Sequence, residues 1–174
     1  MANKEALREL QSRLAERLKA ARGQARGVSW LAVECSRRGF LFPLQEAGEI
    51  FGMSPVVPVA HARPWFLGVA NLRGGLHGVV DLAEFLGVKA KAPDTARERA
   101  QLVAFNAALE LNCALLVDRL AGLRSAEQLT VEVEPPEPRP PFVGARYRDA
   151  DGRLWQELSL SALARNDAFL KIVG

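Results

Sequence analysis

Imidazoles and thiols are scarce: the 174 residues contain two histidines, His61 and His77, and two cysteines, Cys35 and Cys113. No HExxH, CxxC or clustered Cys/His spacing occurs, so no zinc framework can be read from the chain. The cysteines lie far apart in apolar surroundings. They are expected as buried thiols in a reducing compartment, with a disulfide or reactive pair as the alternative. No run approaches the ~20 apolar residues of a membrane-spanning helix. The N-terminus MANKEALREL carries charges where a signal peptide needs an apolar core, so a cytoplasmic protein is expected. Walker-type Lys-Ser pairs, GxSxG and GxGxxG are also missing. No catalytic residue, metal or cofactor is therefore expected, although distant residues can still assemble a site.

What is present is the composition of a folded domain, with 49% hydrophobic and 25% charged residues. The length suits one globular unit, or two small subdomains sharing a core. The net charge of +3 is unevenly placed. Residues 1–26 hold seven basic and three acidic side chains, against 16 and 17 in the remainder. The body is thus not a basic nucleic-acid platform.

Residues 4–21, KEALRELQSRLAERLKAA, are rich in helix formers and place Leu7, Leu10, Leu14 and Leu18 on one stripe. Gly23 and Gly27 end that helix. The stripe either docks on the chain's own body or serves a partner or a second copy. Membrane or nucleic-acid contact is less favoured, because Glu5, Glu9 and Glu16 interrupt the basic residues.

Residues 28–35, VSWLAVEC, read as a strand with Trp30, Ala32 and Glu34 on one face and Leu31, Val33 and Cys35 on the other. Residues 40–44 form the return strand. Residues 45–51 read as a short helical or turn segment, and 53–59, with Pro55 and Pro58, as an edge or bridging stretch. A turn at 61–65 follows.

The most densely specified stretch is FLGVANLRGGLHGVVDLAEFLG, residues 66–87. Its two extended halves place Leu67, Val69 and Leu72, then Val79, Val80 and Leu82, inward. Gly74-Gly75 is read as the turn between them. Asp81 is positioned to cap a short helix that Gly87 stops. His77 and Asp81 lie four apart, but no local serine completes a triad, so Asp81 reads as a structural carboxylate. Arg73 can hydrogen-bond neighbouring carbonyls, contact a partner directly, or both.

Residues 88–100 read as an exposed loop, 102–106 and 113–117 as strands, and 118–122 as a short turn or helix. EVEPPEPRPP, residues 132–141, is a semi-rigid connector. Residues 142–149 and 154–158 flank an Asp151-Gly152 hairpin signal, and Ser159 caps a final helix through Ala164. About eight to ten short strands with many Gly and Pro punctuators predict small barrels or a curved sandwich.

Residues 66–87 resemble the signature of the CheW-like family, the chemotaxis coupling proteins. Gly68, Val69, Asn71, Leu72, Arg73 and Gly74 match in order, then Val79, Val80, Asp81 and Leu82. Gly78 stands where that family commonly has proline, which should loosen the strand locally. Further resemblance covers residues 30–50, Val117-Asp118, Val143-Gly144 and residues 154–163, so it spans nearly the whole chain after Gly27. The charged leader, PWFLGVANLRG and the FLKIV ending look more like the adaptor of the type IV pilus (twitching motility) chemosensory system than the flagellar adaptor.

The resemblance implies a mainly β fold of two five-stranded β-barrel subdomains, interleaved within residues 28–174, behind a helical leader at 1–27. It implies a non-catalytic scaffold in the cytoplasm, held at membrane receptor arrays through its partners. These are a methyl-accepting chemotaxis receptor and the regulatory domain of a CheA-like histidine kinase; neither nucleic-acid binding nor membrane insertion is implied. Asn71, Leu72, Arg73, Gly74 and Asp81 become candidate turn or partner-binding residues, and Ala47, Glu49 and Ile50 the receptor-contact neighbourhood. A kinase regulator or inhibitor in a flagellar or other pathway is the rival reading, and a small β-barrel enzyme a distant third.

Overall fold

A computed structural model describes residues 2–23, 28–89, 99–133 and 138–174, with the side chains of the first helix described for 4–15. That helix, α1 (Ala2–Gly23), precedes a first hairpin of β1 (Ser29–Cys35) and β2 (Arg38–Pro43). Then come β3 (Ala47–Gly52), β4 (Phe66–Leu72), β5 (Gly75–Asp81), α2 (Leu82–Leu86), β6 (Gln101–Phe105) and β7 (Cys113–Val117). The chain finishes with β8 (Arg119–Ser125), β9 (Thr130–Glu132), β10 (Val143–Arg148), β11 (Leu154–Leu158), α3 (Leu160–Leu163) and α4 (Asp167–Leu170).

The fold is mainly β, as expected, with strands in two sheets. One has six strands in the order β8-β1-β2-β11-β10-β9, and the other five in the order β3-β6-β7-β5-β4. The sixth strand of the first sheet is the three-residue β9, laid against β10. All five strands of the second sheet come from residues 47–117, a continuous insertion between β2 and β8 of the first. Most neighbours are antiparallel; β11 joins β2, and β7 joins β5, in parallel.

Strand alternation sorts the side chains into three apolar layers. Between the sheets lie Leu31, Val33, Cys35, Phe40 and Phe42 from one and Val80, Val103, Phe105, Leu115 and Val117 from the other. Trp30, Ala32, Leu41, Leu129 and Trp155 cluster on the far side of the first sheet. Ala70, Leu72, Val79, Leu102, Ala104 and Ala114 do so in the second. The two faces expected of β1 are thus the observed ones, with Glu34 held at the rim by Arg119 and Arg153. Each sheet curls on itself. Trp30 of β1 and Tyr147 of β10 are not on neighbouring strands, yet their ring centroids are 4.9 Å apart.

Local chemistry places α2 and α3 as the sequence predicts. The Asp81 side chain accepts from Glu84 N, and Gly87 closes α2 in the left-handed region at φ 73°. Ser159 caps α3 by accepting from Ala162 N at 3.1 Å. The unanticipated α4 places Phe169 between Trp65 and Phe105, stacked at 6.0 and 5.8 Å. Burying a phenylalanine this way contributes about 2–3 kcal/mol.

Several expectations are corrected. Of the helical or turn segment expected at 45–51, only the turn at 44–46 forms, and residues 47–52 make β3. Gly48 is a close approach between strands: a Cβ there would lie 2.7 Å from the Phe105 carbonyl oxygen. Residues 119–125 form β8 in place of the short turn or helix expected at 118–122, since their backbone completes the open edge of β1. Gly122, at φ 95°, absorbs a register shift opposite Ala32 and Val33. On β4 the buried residues are Phe66, Gly68, Ala70 and Leu72, whereas Leu67 and Val69 are half-buried. Across the bulge between Phe66 and Gly68 the strand changes face, with Phe66 in the inter-sheet core and Ala70 and Leu72 within the curl of their own sheet. The expected loop at 88–100 and connector at 132–141 fall partly on residues outside those described. Finally, Leu7, Leu10 and Leu14 of α1 are all exposed, so this part of the leucine stripe does not dock on the body. Both sheets have already covered their apolar faces, one against the other and each within its own curl.

Candidate docking groove

Four residues of the β4–β5 hairpin build an unusual turn. Arg73 and Gly74 are its two central residues, both left-handed at φ 52° and 79°, and Gly75 already opens β5. The turn therefore sits one residue earlier than expected. Its twist is that of a type I′ hairpin, which favours glycine or asparagine at both centres. Arginine at the first centre carries a backbone cost of roughly 1 kcal/mol. Asn71 offsets part of it by accepting a hydrogen bond from Gly74 N at 2.9 Å.

This conformation aims the Arg73 guanidinium across the curled sheet. Its Nη1 donates to Glu49 Oε1 at 2.5 Å, so Arg73 bridges to β3 rather than bracing carbonyls of its own turn. The two side chains are 76% and 53% exposed. A pair so open to solvent contributes at most about 1 kcal/mol. Beside it lies a groove of about 890 Å³ lined by Phe51, Leu72, His77, Ala104 and Asn106, with Ser12 and Ala15 of α1 also in its wall. The His77 and Phe51 rings approach at 6.3 Å. An apolar floor under a charged, solvent-open rim suits a protein segment.

The structure brings Asn71, Leu72, Arg73, Gly74 and Glu49 together. Leu72 is buried and floors the groove, while Glu49 is its rim. Ala47, at 2% exposure, and Ile50, packed against the inter-sheet core, support the strand that carries Glu49. Asp81 stands apart at the far end of β5, roughly 20 Å of strand from the turn. It is buried, and besides capping α2 its Oδ2 accepts from Lys89 Nζ at 2.6 Å. His77 Nδ1 lies 3.1 Å from Gly75 O, so His77 and Asp81 serve separate ends of the strand. Phe51, Asn106 and the α1 residues carry no sequence signal for this site, because only the curl of the sheet gathers them.

Gly78 also has a local reason. Its N–H donates to Asn112 O at 3.0 Å, and a Cβ would lie 3.0 Å from the Phe66 ring. A proline could not make that bond. Both cysteines are free and buried. Burial pushes the Cys35 and Cys113 thiols up to about 12. Among the described residues, no group of three or more His, Cys, Asp or Glu is placed to hold a metal ion. None of their helices is long and apolar enough to cross a membrane.

Two curled sheets around one shared core make a fold also found in a known scaffolding protein. The scaffolding protein TtCheW from Thermoanaerobacter tengcongensis matches with a TM-score of 0.62 over 77% of this chain and 90% of that one, at 16% identity. The CheW-like domain model matches residues 29–168, and the chain belongs to that family. Protein PilI from Pseudomonas aeruginosa is 28% identical over 164 residues, 92% of this chain and 88% of that protein. The chemotaxis protein CheW from Rhizobium meliloti is 36% identical over 67 residues, 38% of this chain and 43% of that one.

Proposed function

We propose that this protein is a non-catalytic adaptor coupling the tip of a methyl-accepting chemoreceptor to the regulatory domain of a CheA-like histidine kinase. The observation that carries the reading is the meeting of the Arg73 turn with Glu49 over one groove. Those residues are 24 positions apart, and resemblance assigns both to partner contact. Affinity would come from apolar area buried on the groove floor, with the charged rim setting orientation. The similarity to PilI along 92% of the chain, together with the charged leader, supports the type IV pilus branch. The same reading puts the protein in the cytoplasm, held at receptor arrays through its partners.

Calorimetry with the full chain, a kinase regulatory-domain fragment and a receptor-tip fragment tests this. Binding of each fragment at micromolar strength or better is expected. Failure of both to bind overturns the adaptor reading. Co-purification from native cytoplasm then separates the pilus pathway from the flagellar one by the kinase and receptor it recovers.

A further inference from the structure

We propose that α1 is a docking helix for a partner protein whose contacting element is an amphipathic helix bordered by acidic side chains. The role lies beyond the coupling function, because α1 precedes the residues 29–168 that match the family domain. At ~100° per residue, Leu7, Leu10 and Leu14 fall on one face of α1. They are 61, 68 and 52% exposed. A helix of this length normally owes its stability to packing of such a face, and here the body leaves it uncovered.

Charge selects the occupant. On the same wheel Lys4 borders the stripe on the Leu7 side and Arg13 on the Leu10 side, while Glu5 and Glu9 point away from it. A second copy of α1 would bring basic border against basic border. A helix with glutamate or aspartate along its own apolar seam would instead place opposite charges on both flanks, as in a heterotypic coiled coil. Residues 4–15 contain no aromatic side chain to anchor in a lipid interface. Ser12 and Ala15 line the groove from another side of α1, so a helix seated on the stripe would leave the groove open.

The test uses the full chain and two fluorescent designed peptides of about three heptads, both with leucine at the a and d positions. One carries glutamate and the other lysine at e and g. Saturable binding of the acidic peptide is expected, at least ~10-fold tighter than the basic one and weakening as salt screens the borders. Leu10→Glu should lower that affinity at least ~10-fold with an unchanged melting temperature, and the double variant K4E/R13E should reverse the peptide preference. Equal binding of both peptides, binding to neither, or a melting temperature lowered by Leu10→Glu overturns the proposal. So does binding confined to anionic phosphatidylglycerol vesicles, or concentration-dependent self-association that Leu10→Glu abolishes.

Discussion

The Glu49 carboxylate and the Arg73 guanidinium, 2.5 Å apart, join the two outer strands of one five-stranded sheet. β3 and β4 lie at opposite edges in hydrogen-bonding order, so the pair exists only because the sheet curls until its edges meet. The turn conformation of Arg73 and the curl together determine what the rim of the groove presents.

Replacing Arg73 separates stability from docking. Arg73→Gly removes an exposed ion pair of small worth and also relieves the left-handed strain at φ 52°. The two effects oppose, so unfolding free energy should stay within about 1 kcal/mol of the parent. Assembly with receptor and kinase fragments should nevertheless weaken strongly. Parallel losses of melting temperature and binding would reduce Arg73 to a structural brace.

Gly78 should not tolerate the proline of its family. Gly78→Pro deletes the hydrogen bond to Asn112 O and presses ring atoms toward Phe66. A cost of roughly 2–3 kcal/mol is expected in urea unfolding. Gly78→Ala keeps the N–H and should cost less; a proline variant as stable as the parent would contradict the geometry.

Acid sensitivity should trace in part to Glu34. Burial pushes its pKa up, but hydrogen bonds from Arg153 and Arg119 outweigh this and hold it below the ordinary value of 4.5. A carboxyl lowered in the folded state stabilises fully above its unfolded pKa, and that contribution fades as pH falls through the folded value. Glu34→Gln should therefore be less stable than the parent at pH 7, with the gap closing below about pH 4. Urea melts at both pH values give the comparison, and a gap independent of pH would count against the ion-pair account.

Thiol labelling offers a probe of opening. With both thiols buried and pushed up to about 12, Cys35 and Cys113 should react with aromatic disulfides only when the core opens. Labelling that tracks urea unfolding is expected. Rapid stoichiometric labelling of the native chain would mean that one cysteine is accessible.

The sequence made local decisions legible and long-range ones not. The faces of β1, the caps Asp81 and Ser159 and the stop at Gly87 are all visible in short windows, because alternation and capping act over two to four residues. The NLRG turn was visible too, shifted by one residue because arginine occupies a conformation usually given to glycine. β8 was hidden because Gly122 reads as a turn residue until its partner strand is known. The approach of Glu49 to Arg73, the reach of Phe169 into the core and the uncovered face of α1 all depend on how the sheets curl. No local periodicity records that.

The insertion of one sheet within the other has a kinetic consequence. Every strand of the second sheet lies ahead of residue 118, so that sheet emerges from the ribosome before β8 to β11 of the first. The first sheet must hold β1 and β2 open until β11, whose Trp155 pairs beside Gly39, arrives more than a hundred residues later. Closing so long a loop is slow, and unpaired edges are prone to the wrong partner. Refolding should proceed in two phases, with the Trp155 environment maturing in the later one, and nascent chains cut before β11 should be aggregation-prone.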